Sequence, residues 1–282
     1  MNAPRSLPLT AGALLIDGVV FRHTSVRGDT APDLHPVVRR FLHELPAAQR
    51  ERFAGWCAET VLISDRLHLA ERDRPGPLTG SAARAELWGA TLSVVWVREP
   101  GDPVHGTPCP SCRSCAALLD WFGVEAIGTP VAAVRDLAAA GGTAAGLAQR
   151  WRLALGSYAA PDGRRHDVVP AAVAAFSRYG GSRVEASGPG DQVAPTGYVI
   201  DPTRALHTVG TMAALGTAIG RKVTPLGVTD DGAGLLAIDE DGRVFVIDAT
   251  AEWWLGDGID GALDALLTGR APARLREDGT WT

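Results

Sequence analysis

Apolar positions alternate with polar ones in short runs at the start of the chain. Residues 13–16 (ALLI) and 19–21 (VVF) flank Asp17-Gly18, a pair that supplies the positive φ angles of a tight primed turn, so they predict a β-hairpin. The period then changes. Val37, Val38, Phe41, Leu42 and Leu45 recur at helical spacing behind Asp33, which can cap them, and Pro46 ends the run. Phe53, Trp56, Cys57, Val61, Leu62 and Leu67 form a second apolar face of period 3.6, which places Cys57 and Glu59 near the start of a helix. Residues 72–80, with two prolines and two glycines, predict a loop. Residues 91–97 (TLSVVWV) are β-branched and apolar on both faces, as in a central strand covered by helices. A Pro/Gly-rich loop, 99–110, leads to a helix over about 111–122 that Gly123 can close in the left-handed conformation. This order predicts a small α/β layer ending near Ile127.

The second half reads differently. Alanine-rich helical patterns cover 131–140 and 143–155, and a further helix covers 170–179. A strand is predicted at 197–200. A hairpin follows at 234–238 and 243–247, around Asp239-Glu240-Asp241-Gly242. A last helix at 259–267 is closed by Gly269. If the segment of Trp253 and Trp254 is extended, one of the two rings points away from the core and can anchor a partner. These signals predict an α+β arrangement with an antiparallel sheet. Gly128-Thr129-Pro130 interrupts both periodicities, so two domains that fold separately are expected, 1–128 and 129–282.

Composition narrows the class. With 282 residues, 46% apolar and 21% charged, the chain is neither disordered nor fibrous. A net charge of −5, with neither half basic, argues against a strongly basic nucleic-acid grip. No long apolar run or signal peptide is readable, so a cytoplasmic protein without a membrane partner is expected. Four cysteines are too few for a disulfide scaffold. Three of them, Cys109, Cys112 and Cys115, lie close together in a spacing that suits a metal.

The chemistry concentrates in Cys57-Ala58-Glu59 and Pro108-Cys109-Pro110-Ser111-Cys112. Zinc deaminases of nucleobases use H-x-E followed by P-C-x-x-C: three side chains hold Zn²⁺, a fourth position stays open, and the unligated Glu carries protons. Here cysteine stands where histidine would. Three thiolates are an allowed ligand set, and helix N-termini favour thiolates. Cys57, Cys109 and Cys112 are therefore the candidate Zn²⁺ ligands and Glu59 the candidate acid/base. A closed four-cysteine site that includes Cys115 would instead be structural. His105, four positions before Cys109, can approach the site as a hydrogen-bonding or substrate-lining residue.

The segments 55–59, 105–112 and 118–124 resemble the YwqJ-like deaminases, a branch of the cytidine-deaminase fold linked to bacterial toxin systems. That resemblance implies a three-layer α/β domain, Zn²⁺ at Cys57, Cys109 and Cys112, and proton transfer by Glu59. It leaves Cys115 as a buried core residue. Residues 176–181 (FSRYGG), 197–202 (GYVIDP), 224–227 (TPLG), 235–245 and 254–267 with Gly269 resemble the third group of the SUKH family. Many members of that family are immunity proteins that bind toxins, which implies a toxin-like protein partner. The chain thus reads as a hydrolytic deaminase of a nucleobase, nucleotide or nucleic acid joined to an immunity-type binding module. The alternative is a non-catalytic interaction protein with a structural zinc.

Overall fold

The structure, a computed structural model, describes residues 7–72, 74–128, 144–230 and 232–281. β1 (Leu9–Ile16) and β2 (Val19–Thr24) form the expected hairpin, with Asp17 at φ 49° and Gly18 at φ 76° in its turn. α1 (Pro36–Glu44) follows. Its cap is His35 rather than Asp33, because the His35 side chain accepts from the Val37 N–H and Pro36 sets the first helical φ. α2 (Ala58–Arg72) begins immediately after Cys57, whose carbonyl accepts from the Val61 N–H. α3 (Gly80–Leu87), β3 (Thr91–Val97), α4 (Arg113–Phe122) and the short β4 (Glu125–Ala126) complete the first region. α4 ends at Gly123 with φ 72°, a left-handed cap.

The first sheet has the order β2-β1-β3-β4, with β1 antiparallel to β3 and β3 parallel to β4. Register places Leu14 opposite Leu92 and Gly12 opposite Val94, and this face is buried. Helix α2 packs so closely on it that a Cβ at Gly12 would lie 2.8 Å from Leu62. The opposite face carries Ala13, Ser93 and Val95, all partly open, and Leu15, which is 44% exposed. β3 is therefore central but buried on one face only, and no third layer covers its other face among the described residues. Leu14, Leu62, Leu67, Leu92, Leu118 and Phe122 form the core of this region.

In the second region an antiparallel sheet runs β11-β10-β9-β8-β7-β6-β5. Its strands are β5 (Arg183–Val184), β6 (Tyr198–Val199), β7 (Val223–Thr229), β8 (Leu235–Asp239), β9 (Val244–Ile247), β10 (Glu252–Gly256) and β11 (Ala273–Arg274). β8 and β9 are buried at every position, because both faces of the sheet are covered. α5 (Ala144–Ser157), α6 (Pro170–Tyr179) and α8 (Ile259–Thr268) cover one face, and α7 (Val209–Ile219) covers the other. The helix expected over 131–140 lies outside the described residues. Trp253 is buried and donates its indole N–H to Asp248 at 2.8 Å. Trp254 stacks on Trp281 with ring centroids 5.8 Å apart. The pair therefore packs on both faces of β10, and neither ring is the exposed anchor that the extended segment predicted. No helix among the described residues is long and apolar enough to cross a membrane.

The two regions share a core. Phe53, Cys57 and Cys115 pack in one cluster with Trp151, Leu155, Phe176, Leu255 and Leu266, apart from the first region's own core. Polar contacts also cross the seam. Arg52 pairs with Asp248 at 3.1 Å, with both side chains buried. Glu99 accepts from the Gly210 and Thr211 N–H groups at the start of α7, at 2.9 and 2.6 Å. The Arg113 guanidinium donates to the Pro195 carbonyl at 2.7 Å, and the Ala194 N–H donates to the Arg50 carbonyl at 2.8 Å. Arg274 lies over the Trp56 ring at 3.8 Å.

Asp248 is the hub of that seam. One of its oxygens accepts from Thr250 and from the Ala251 N–H, and the other accepts from Trp253 and Arg52. Asp248→Ala leaves a buried guanidinium and a buried indole N–H unpaired. It should cost about 3–5 kcal/mol in urea unfolding; a loss below about 1 kcal/mol would show that the pair carries little of the seam.

Candidate active site at the cysteine cluster

Two helix starts meet at the seam. Cys57 immediately precedes α2, Cys112 is the N-cap residue of α4, and Cys115 lies one turn into α4. Positions three apart share one helix face, so Cys112 and Cys115 point the same way, towards Cys57. The Cys57 and Cys112 sulfurs are 3.8 Å apart, and all three sulfurs lie within 4.8 Å of one another. A tetrahedral zinc with bonds of about 2.3 Å to sulfur requires sulfur–sulfur edges of about 3.8 Å. The three thiols therefore fit a zinc ion, and the first turns of α2 and α4 supply the dipoles that stabilise thiolates.

Cys109 is not drawn into this group. Its N–H donates to the Val94 carbonyl at 2.8 Å, its thiol faces the Pro110 carbonyl at 3.5 Å, and its side chain packs on the first region's own core. Residues 109–112 carry no helical turn, and an extended step of three residues spans about 10 Å. The sequence holds two overlapping C-x-x-C spacings, 109–112 and 112–115, and the helical one converges. Cys115 is fully buried, as expected of a core residue, and its sulfur also lies 3.5 Å from the Thr60 hydroxyl.

Glu59 sits in the first turn of α2 and is only 4% exposed. Ser111 and Cys115 lie beside its carboxyl, where their polar hydrogens favour the charged form. Burial, and after it the negative charge at Cys112, raises the carboxyl pKa to about 7. Among the sulfurs, Cys112 is pulled well below the usual thiol range. The Cys115 and Cys57 thiols donate to it, as do the N–H groups of Cys115 and Ser114. The two donor thiols are pushed up by the same bonds. Ser111 is a contact that sequence spacing did not single out.

His105 does not join the cluster. Its Nδ1 lies 3.1 Å from the Arg98 N–H and 3.0 Å from the Arg98 carbonyl, which ties it to the end of β3. A second grouping, His35, His68 and Glu71, lies elsewhere in the first region. There the His35 Nδ1 accepts from the Val37 N–H at 3.2 Å, which leaves the ring proton on Nε2, 3.5 Å from the Glu71 carboxylate. That nitrogen faces a carboxylate as a donor, which does not suit a metal ligand.

Residues 3–124 match the family model of the YwqJ-like deaminase, and residues 143–269 match that of the SUKH-3 immunity protein. The chain carries both regions, in that order. No curated protein and no solved structure matches it. The cysteine cluster and Glu59 belong to the deaminase-like region, and the residues packed against the cluster across the seam belong to the SUKH-3 region.

Proposed function

We propose that the deaminase-like region is a zinc-dependent hydrolytic deaminase acting on the amidine carbon of a nucleobase, free or within a nucleotide or nucleic acid. The observation that carries this reading is the convergence of three thiols and one buried carboxyl at two helix starts, inside the region that matches the deaminase family. Cys57, Cys112 and Cys115 would hold the ion, so the ligand set departs from the sequence expectation in having Cys115 in place of Cys109. Zn²⁺ there would supply Lewis acidity for activating water. Glu59 would take a proton from the attacking water and deliver it to the departing amine, so that ring amidine and water become ring carbonyl and ammonia. The Ser111 hydroxyl would hold the carboxyl in place for that transfer. The SUKH-3 region would supply the protein-binding function, with a toxin-like protein as its partner.

The test is release of ammonia by the full chain from a panel of cytosine- and adenine-type bases, nucleosides, nucleotides and single-stranded nucleic acids. Since Glu59, Cys57 and Cys115 are buried, the assay is run both in plain buffer and in urea below the unfolding transition, where local opening is promoted. Glu59-dependent ammonia release supports the reading. Its absence from every substrate under both conditions, with zinc held by four thiolates, would favour a non-catalytic interaction protein in which zinc only staples the fold.

A further inference from the structure

The cysteine cluster faces away from the core of its own region. Cys109 is packed against the first region's own core, whereas Cys57 and Cys115 belong to, and Cys112 packs against, the cluster that includes Trp151, Phe176, Leu255 and Leu266 of the SUKH-3 region. The chain on either side of the cluster is also tied to that region. Before Cys57, the Arg50 carbonyl accepts from the Ala194 N–H and Arg52 pairs with Asp248; after Cys112, Arg113 donates to the Pro195 carbonyl. In this arrangement Glu59 is 4% exposed, Cys57 7% and Cys115 0%, while Cys112 at the start of α4 is partly open. A carboxyl 4% exposed offers a planar ring almost no surface to approach.

We infer that the SUKH-3 region is a lid, built into the same chain, over the deaminase site, and that turnover requires the seam to open. The inference rests on the reading of the cluster as a deaminase site. Closure is held by a shared apolar core and by polar contacts at its rim, of which Glu99 to the start of α7 and Arg113 to Pro195 are only partly buried. Weakening the rim raises the open population without removing a side chain from the cluster.

The experiment alkylates the full chain with iodoacetamide and follows each cysteine by mass spectrometry, for wild type, Glu99→Ala and Arg113→Ala. Ammonia release is measured in parallel. In wild type, the buried Cys57 and Cys115 should label at least about tenfold more slowly than the partly open Cys109 and Cys112. Hydrogen bonds to charged groups sustain the rim, so each variant should speed labelling of Cys57 and Cys115 by about tenfold and leave Cys109 unchanged. Turnover should rise with labelling. Equal labelling of all four cysteines in wild type overturns the lid. So does a variant chain in which Cys57 and Cys115 remain as slow as before, since the metal alone would then protect them. Faster labelling with no ammonia from any chain upholds the cover over the cluster and removes the deaminase reading instead.

Discussion

Cys112→Ala and Cys115→Ala chains should each lose their zinc and unfold at lower urea, while Cys109→Ala keeps both the metal and the stability. The binding energy of a zinc site is also folding energy, on the order of 10 kcal/mol for intact structural sites. Removing one of three ligands should therefore cost at least about 3 kcal/mol. Removing Cys109 takes away a partly buried thiol that packs beside the first core, and should cost about 1 kcal/mol. Metal content by atomic emission and urea unfolding read the two effects independently. If Cys109→Ala empties the site and Cys115→Ala does not, the C-x-x-C pair at 109–112 is the ligand pair and the helical pair is only core.

Glu59→Gln should separate metal from chemistry. The amide has the size of the carboxyl and keeps an oxygen for the Ser111 hydroxyl, so zinc and fold should persist. It cannot carry a proton. General acid/base groups contribute about 10²- to 10⁴-fold, and ammonia release should fall by that factor. A variant that retains zinc and full activity would place the proton carrier elsewhere.

Much of this architecture is legible in the sequence where local chemistry has a single outcome. Asp17-Gly18 admits one kind of turn, and the strand at Thr91–Val97 and the glycine closures at Gly123 and Gly269 follow in the same way. β7 is not among the predicted strands, and it contains Pro225 and Gly227, residue types that are disfavoured inside a strand. In the folded chain they sit at a register shift opposite β8, the one place within a sheet that accommodates them. α7 escaped for a related reason. Its sequence, VGTMAALGTAI, has glycines at 210 and 216 and no charged residue, so its buried positions make no contrast with a polar face. For the candidate site, motif spacing names Cys57, Glu59 and Cys112, which the fold brings near one another, but Cys109, Cys112 and Cys115 offer two equal intervals, and only the start of α4 at Arg113 decides which interval is helical. The shared core was not readable at all. Periodicity says that the face bearing Phe53 and Cys57 is apolar, not that its cover comes from residues a hundred or more positions later.

X-ray absorption at the zinc edge on the full chain tests the central claim most directly. Three sulfurs at about 2.3 Å with one oxygen or nitrogen at about 2.0–2.1 Å is the predicted shell, unchanged in Cys109→Ala. Four sulfurs, or no zinc in a chain purified with the metal supplied, would contradict an open three-thiolate catalytic site.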